Sequence, residues 1–277
     1  MFELIVAMVF EAIRSEPPEK IHPTVWFGRI AEFLDKKLPE SVFYGISVPF
    51  SAVIAAIILA EIPGLLPYPA SILLSGFLLY TTVSIKSMLE HAQACIKDGK
   101  IDPDGLKRIV SRDLSSLKEW QMNSAVIESI AENFVDGVLA PLLYYSIFGL
   151  HGALIYRAVN TCDAMIGYRK GRYEKFGKVS ARLDDVMNFI PSRISLFYYL
   201  ILSRRAFVCG VRLNPKLNGS SVSAMAGLLG IKLEKPGYYR IDCGKDPEMN
   251  DVKKAMSYFK VLSGMAVLSA LLLRMLV

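Results

Sequence analysis

Three acidic residues, Glu128, Glu132 and Asp136, recur at intervals of four in the middle of the chain. On an α-helix this spacing places the carboxylates along one face, within about 12 Å of each other at a rise of 1.5 Å per residue. Carboxylates this close repel, so the face needs a metal ion, a basic partner or protonation. Such oxygen ligands suit Mg²⁺, and the same groups can transfer protons. We predict an acid/base or magnesium site here; the structural alternative is a solvated helix end with salt bridges.

Two further polar groups follow in the chain. In the first, Arg157 and Asn160 lie one turn apart with Asp163 beside them, which could form part of a functional site. The structural alternative is that the helix simply leaves the membrane here and Arg157 extends its charged end to the membrane surface. The second group contains two adjacent acids within a short segment, which suits metal or phosphate binding but also a plain helix N-terminus. Its members are Arg182, Asp184, Asp185, Asn188 and Arg193. We expect this segment and the acid face to meet in one pocket.

Long apolar stretches must position these groups. The chain has 277 residues, of which 53% are hydrophobic and 21% are charged, and its mean hydropathy is +0.36. These values exclude an ordinary soluble domain. Four stretches are long and nearly free of charge, and a fifth at 189–202 is shorter. The four are 43–60, 62–85, 137–156 and 256–277.

These patterns predict an all-α polytopic membrane protein with four to six membrane helices and polar helical loops. We expect residues 1–277 to form a single membrane-embedded domain, with a small β-hairpin near 231–241 around Lys235-Pro236-Gly237. In the polar part, we expect one helix to end near Gly99 and a longer one to follow the cap at Asp102. Pro141, Gly149 and Gly152 favour a broken or re-entrant path through 137–156.

Charge and cysteine content narrow the function further. The net charge of +6 could suit nucleic acid, anionic lipid or an anionic substrate. In a membrane protein, Lys and Arg more often hold loops on one side, so we expect no nucleic-acid partner. The four cysteines form no Cys-x-x-Cys pair, which predicts free thiols and no structural zinc. The start of the chain lacks a basic region and a small-residue cleavage site, so we expect no cleaved signal peptide.

Three long motifs together identify a family. They read E-S-I-A-E-N-x-x-D-G-V-L-A-P at 128–141, Y-R-A-V-N-T-x-D-A-M-I-G-Y-R at 156–169 and A-R-L-D-D-V-M-N-F-I-P-S-R at 181–193. Shorter matches include His22-Pro23, Ser111-Arg112-Asp113 and A-M-A-G-L-L-G at 224–230. In this order they resemble the cobinamide or cobinamide-phosphate synthases of cobalamin biosynthesis, which are integral membrane proteins. The resemblance is loose at 214–221, so it assigns no substrate role to that loop.

The resemblance implies a reaction and its participants. A propionate carboxylate of (adenosyl)cobyric acid is joined as an amide to aminopropanol or aminopropanol phosphate. A carboxylate does not condense with an amine in water unaided, so we expect ATP and Mg²⁺ to activate it through an acyl phosphate. The resemblance also implies a multi-pass protein of the cell (cytoplasmic) membrane, with the lipid bilayer as a partner, and leaves open contact with other corrinoid-pathway enzymes.

The motif residues carry the implied roles. The resemblance implies catalytic roles for Glu128, Glu132, Asp136 and Asp163. A metal ion, as a hypothesis, falls to Glu132, Asp136 and Asp184. Substrate binding falls to a larger polar set: Asn133, Arg157, Asn160, Arg182, Asp184, Asp185, Asn188 and Arg193.

Two other classes of function stay open. A membrane transporter would also explain acids beside proline-broken helices, although the chain contains no inverted repeat. A catalytically silent membrane relative could act as a sensor or scaffold. Amide product would support the enzyme, whereas substrate counterflow without product would support the transporter.

Overall fold

The computed structural model describes residues 1–110, 113–168, 170–214 and 216–276. Four positions within the family motifs and the 214–221 loop, namely Ser111, Arg112, Arg169 and Pro215, lie outside this range. Within it the chain is predominantly helical with very little sheet, which confirms the all-α prediction. The helices are α1 (Phe2–Ile13), α2 (Pro23–Lys37), α3 (Val42–Gly45), α4 (Ser47–Glu61), α5 (Tyr68–Tyr80), α6 (Ile85–Ala94), α7 (Pro103–Leu106), α8 (Glu119–Phe134), α9 (Ala140–Ile166), α10 (Tyr173–Phe176), α11 (Lys178–Leu202), α12 (Arg204–Arg212), α13 (Ser220–Leu229) and α14 (Met249–Leu276).

The described structure also contains two short antiparallel hairpins. The first pairs β1 (Ile96–Lys97) with β2 (Lys100–Ile101). The second pairs β3 (Lys232–Lys235) with β4 (Tyr239–Asp242), which confirms the hairpin predicted near 231–241.

Four helical segments are long and apolar enough to cross a membrane, in agreement with the predicted four to six. They are Val42–Leu65, Tyr68–Ala94, Glu119–Ile166 and Met249–Leu276. Large apolar side chains on them face outward, such as Phe50 at 64% and Leu272 at 54% exposure. Large apolar side chains exposed along helices of this length indicate contact with lipid.

The described chain divides into two compact units. The first contains residues 1–84, 140–188 and the end of α14 from Leu268, and the second contains residues 85–139 and 189–267. The single membrane-embedded domain stays a prediction.

The first unit is built on small residues. Helix α4 places Ala52, Ala56 and Ala60 in the core, and this helix packs against α2 and α9. Alanine lets helix backbones approach closely without a bulky side chain between them, which is how membrane helices commonly associate. Phe27 from α2 and Leu154 from α9 fill the space that remains.

Helix α9 is interrupted at Gly149. This residue has φ 64° and ψ −155°, a conformation essentially restricted to glycine. The rings of Tyr144 and Tyr156 stack with centroids 5.4 Å apart, whereas twelve residues of straight helix would separate them by about 18 Å. The chain therefore folds back at Gly149. The broken path expected from the sequence is confirmed, so Glu119–Ile166 is not one straight rod, and re-entry into the membrane stays a prediction.

The second unit is organised around α8. Helices α12 and α13 pack tightly as a pair, and α13 and strand β3 both contact α8. Gly230 ends α13 in the left-handed conformation with φ 68°, as its position predicts.

Two expectations for the polar segment were wrong. Helix α6 ends at Ala94 rather than near Gly99, because Asp98 and Gly99 both have positive φ and turn the β1–β2 hairpin. Asp102 does cap a helix, accepting a hydrogen bond from the Gly105 N–H at 2.9 Å, but that helix is the single turn α7.

Candidate functional site

The predicted acid face lies on α8 and the turn that follows it. Glu128 and Glu132 belong to α8, whereas Asp136 lies in a π-helical turn, Val135–Leu139. Single π turns inside helices are frequent at functional sites, because they redirect one side chain without ending the helix. The face expected on a regular α-helix therefore changes its helical repeat just before Asp136.

Glu128 is deeply buried and hydrogen-bonded. Its side chain is 1% exposed, and the Tyr239 hydroxyl donates a hydrogen bond to its Oε1. The β3–β4 hairpin carries Tyr239 to this place. It docks on α8 through Gln121, whose Nε2 donates to Glu234 Oε1 at 2.9 Å, and through Ser124, whose Oγ accepts from the Glu234 N–H at 2.8 Å.

Lys216 brings a positive charge to the acid face. Its ammonium forms an ion pair with Glu132, and the two side chains keep 42% and 33% exposure. Partial burial lowers the pKa of Lys216, but the carboxylates of Glu132, Glu128 and Asp136 raise it by more, so its pKa lies above the usual value. All three predicted acids therefore act on one ammonium group.

Hydrogen bonds hold the 214–221 loop near its C-terminal end. Ser221 Oγ donates to the Ala131 carbonyl at 2.7 Å and contacts the Tyr199 hydroxyl at 3.0 Å, which fixes the start of α13 against α8. Asn218 Oδ1 accepts a hydrogen bond from Arg193 Nη1 at 3.2 Å. Arg193 and Lys216 thus contact the acid face or its loop within the second unit.

Lys216 is the residue that sequence reasoning missed. It lies 84 positions from Glu132, and its loop departs from the family pattern. The usable signal was electrostatic: three clustered carboxylates require a cation. Asn133 was predicted for substrate binding, but its Nδ2 donates to the carbonyl of Ser129 in its own helix at 3.0 Å.

The first unit joins the other two predicted groups around Asp184. Asn160 Nδ2 donates to Asp184 Oδ1 at 3.1 Å, and Asn188 Nδ2 donates to Asp184 Oδ2 at 3.0 Å. Tyr156 donates to Asn188 Oδ1 at 2.9 Å, and Arg157 Nη1 donates to Asn160 Oδ1 at 3.4 Å. This Asp184 network orients side-chain amides of the kind that can bind amide and carboxylate groups of a ligand.

Three other predicted residues, Asp163, Arg182 and Asp185, are close to this network in sequence and lie at positions beside it. Asp163 sits one turn beyond Asn160 and accepts the Gly167 N–H at its backbone carbonyl, at 2.7 Å. Arg182 and Asp185 line a cavity at the start of α11.

His22 lies directly before α2 and is partly buried. Burial lowers the pKa of His22, and the Arg157 guanidinium lowers it further, against a smaller opposing effect of Glu16. The imidazole is therefore neutral at neutral pH.

The predicted metal role has no preformed cage. Among the described residues, no group of three or more His, Cys, Asp or Glu side chains could hold a metal ion. Glu132 already pairs with Lys216. A magnesium ion would need phosphate oxygens of a bound substrate to complete its coordination, so the ligand set of Glu132, Asp136 and Asp184 stays a prediction.

Comparison with known proteins agrees with the motif pattern. A family model described as CobD/Cbib protein matches residues 4–267. A protein of Archaeoglobus fulgidus named "Probable cobalamin biosynthesis protein CobD" is 47% identical over 96% of this chain and 91% of its own length. Proteins of the same name from Thermococcus kodakarensis and Methanocaldococcus jannaschii are 44% and 36% identical, over 97% and 94% of this chain and over 94% and 92% of their own lengths.

No solved structure matches the chain. The family model spans nearly all of the chain and includes every predicted site residue. The chain therefore belongs to the CobD/Cbib family of cobalamin biosynthesis proteins.

Proposed function

We propose that the protein forms an amide bond between aminopropanol, or aminopropanol phosphate, and a propionate carboxylate of (adenosyl)cobyric acid. The observation that carries this proposal is the acid face around Lys216. An amine substrate arrives in water as an ammonium ion. A cluster of carboxylates that already stabilises one ammonium is suited to bind another and to accept its proton.

The reaction needs activation before the amine can attack. In the proposed sequence, a carboxylate oxygen of cobyric acid attacks the γ-phosphorus of ATP, and ADP leaves with the bonding electrons. The neutral amine then attacks the acyl carbon of the acyl phosphate. The C–N bond forms, inorganic phosphate leaves, and the proton released from nitrogen passes to a carboxylate.

Exposure and hydrogen bonding suggest different roles for the acidic residues. Glu132 and Asp136 face Lys216 and have side chains that are partly exposed, so they are our candidates for holding and deprotonating the amine. Glu128 is buried and holds the Tyr239 hydroxyl, which suits a positioning role better than proton exchange with solvent. Asp163 stays a catalytic candidate on the family motif alone.

The polar groups of the Asp184 network are candidates for substrate binding. Asn160 and Asn188 are held in fixed orientations by one carboxylate, and the acyl phosphate would be met by cations such as Arg157 or Arg193. Magnesium enters this proposal with ATP, because Mg²⁺ in such sites takes one or two carboxylates plus phosphate oxygens. We place the reaction at the cell membrane.

Purified protein in detergent tests the proposal. The assay combines cobyric acid, aminopropanol phosphate or aminopropanol, and Mg-ATP, and mass spectrometry follows the amide product while a coupled assay follows ADP. We expect one ADP per amide. Counterflow of corrinoid in proteoliposomes without product would support a transporter, and absence of both with retained corrinoid binding would support a silent sensor or scaffold.

A further inference from the structure

A cavity of about 320 Å³ opens where the chain enters α11. Three cationic side chains line it: Lys175, Lys178 and Arg182. Lys178 and Arg182 are four residues apart on the same helix face, where like charges destabilise one another. Among the described residues, none of the three forms an ion pair within 4.0 Å.

The acids of the cavity do not cancel this charge. Of the lining residues that the structure describes, Glu174 and Asp185 are the acids, so three described cations face two carboxylates with one positive charge in excess. Helix α11 begins at Lys178, and the positive end of its dipole adds to the field. An anionic ligand would relieve the repulsion among the cations.

The cavity wall is held in place independently of any ligand. Arg172 Nε donates to Asp35 Oδ1 at 2.8 Å, and the Tyr173 hydroxyl donates to Asp35 Oδ2 at 2.9 Å. The Arg172 guanidinium also lies over the Phe176 ring, 4.8 Å from its centroid. These contacts fix α10 against α2, so ligand binding would cost little ordering of this wall.

The size and lining of the cavity favour a particular ligand chemistry. Its volume is near the lower end of ligand pockets, which span about 300–1,000 Å³. Arginine and lysine together are typical of phosphoryl recognition. Tyr168 and Tyr173, with ring centroids 6.0 Å apart, add an aromatic wall for the rest of the ligand.

We propose that this cavity is a phosphoryl-binding site in which Lys178 and Arg182 contact the phosphoryl oxygens and Lys175 adds charge. The ligand is a phosphate monoester or the terminal phosphates of a nucleotide. The proposal does not depend on the amide-forming reaction, because binding of a phosphoryl group can be measured without turnover.

The test is calorimetric titration of the full chain in detergent. The probes are inorganic phosphate, aminopropanol phosphate, ATP and unphosphorylated aminopropanol. We expect Lys178→Gln and Arg182→Gln each to weaken phosphoryl binding about tenfold or more, and Arg182→Lys to retain part of it. Lys37→Gln, which removes an exposed lysine outside the cavity, should bind as the wild type does.

A second measurement needs no variant. Phosphoryl ligands should slow acetylation of Lys175 and Lys178, read by mass spectrometry, and should leave Lys37 unchanged. Stronger protection by aminopropanol phosphate assigns the site to the phosphorylated amine, and stronger protection by ATP assigns it to the nucleotide; either supports the proposal. Unchanged affinity in both glutamine variants, or no protection of Lys178 by any probe, would overturn it.

Discussion

Replacing Glu132 by glutamine separates a catalytic role of the acid face from a structural one. The Glu132 and Lys216 side chains keep 33% and 42% exposure, so water screens their attraction and the pair should contribute at most about 1 kcal/mol to stability. Glu128 and Asp136 remain near Lys216 in the variant, so its ammonium still has counter-charge. We expect the melting temperature in detergent to fall by only about 2–4 °C.

The expected effect on turnover is far larger. Loss of a general base costs about 10²- to 10⁴-fold in rate, equivalent to roughly 3–5 kcal/mol. Initial rates of amide formation at saturating Mg-ATP measure it, alongside a thermal melt of the same sample. The matched control is Glu248→Gln, which breaks an exposed lysine–glutamate pair of 2.9 Å outside the acid face and should leave turnover unchanged.

Adding Lys216→Met to Glu132→Gln sharpens the distinction. If Glu132 only neutralised Lys216, removing both charges together would restore turnover. If Glu132 accepts the proton of the amine, the double variant stays inactive. Turnover within about twofold of wild type in Glu132→Gln, or its recovery in the double variant, would refute our assignment.

Four further outcomes follow from the structure. Tyr239→Phe removes one hydrogen bond from the Glu128 carboxylate, which is 1% exposed, and should cost about 1.5–3 kcal/mol in unfolding free energy. Tyr238→Phe, at a residue 69% exposed, should cost under about 0.5 kcal/mol, and equal costs would argue against the contact. Gly149→Ala, at φ 64°, should lower the free energy of unfolding by about 1–3 kcal/mol. Gly64→Ala, where a Cβ meets nothing within 4 Å, should leave the free energy of unfolding unchanged. Folding lowers the pKa of the His22 imidazole from its usual value of 6.5. As pH drops below 6.5, the unfolded chain therefore binds a proton at His22 more readily than the folded protein does, and the free energy of unfolding should fall. His22→Gln should flatten this dependence of the unfolding free energy on pH, and an unchanged dependence would exclude His22. The protein should stay with membranes after carbonate washing, and recovery of folded protein in the aqueous fraction would contradict the spans.

Short sequence patterns predicted the structural elements that depend only on residues near one another in the chain. Uncharged stretches marked the spans, Gly149 marked the break in α9, and Lys235-Pro236-Gly237 marked the β3–β4 hairpin. The dipeptide Asp98-Gly99 is a strong hairpin signal. The helix predicted to end near Gly99 was wrong because both residues adopt positive φ and form a turn instead.

The composition of the site depends on contacts that no local pattern contains. Lys216 reaches Glu132 across 84 positions, and Tyr239 reaches Glu128 across 111. Helical periodicity also cannot reveal the π turn at Asp136, because it assumes the same repeat along the whole helix. The meeting of the acid face with the Arg182–Arg193 segment in one pocket stays a prediction.

Isotope transfer tests the proposed reaction most directly. Cobyric acid labelled with ¹⁸O in its free propionate carboxylate is converted by the purified protein with Mg-ATP and the amine, and mass spectrometry reads both products. If an acyl phosphate forms, one labelled oxygen stays in the amide and the other leaves in inorganic phosphate, one labelled phosphate per amide. Amide product accompanied by unlabelled phosphate, or no amide with either amine, would contradict the proposed reaction.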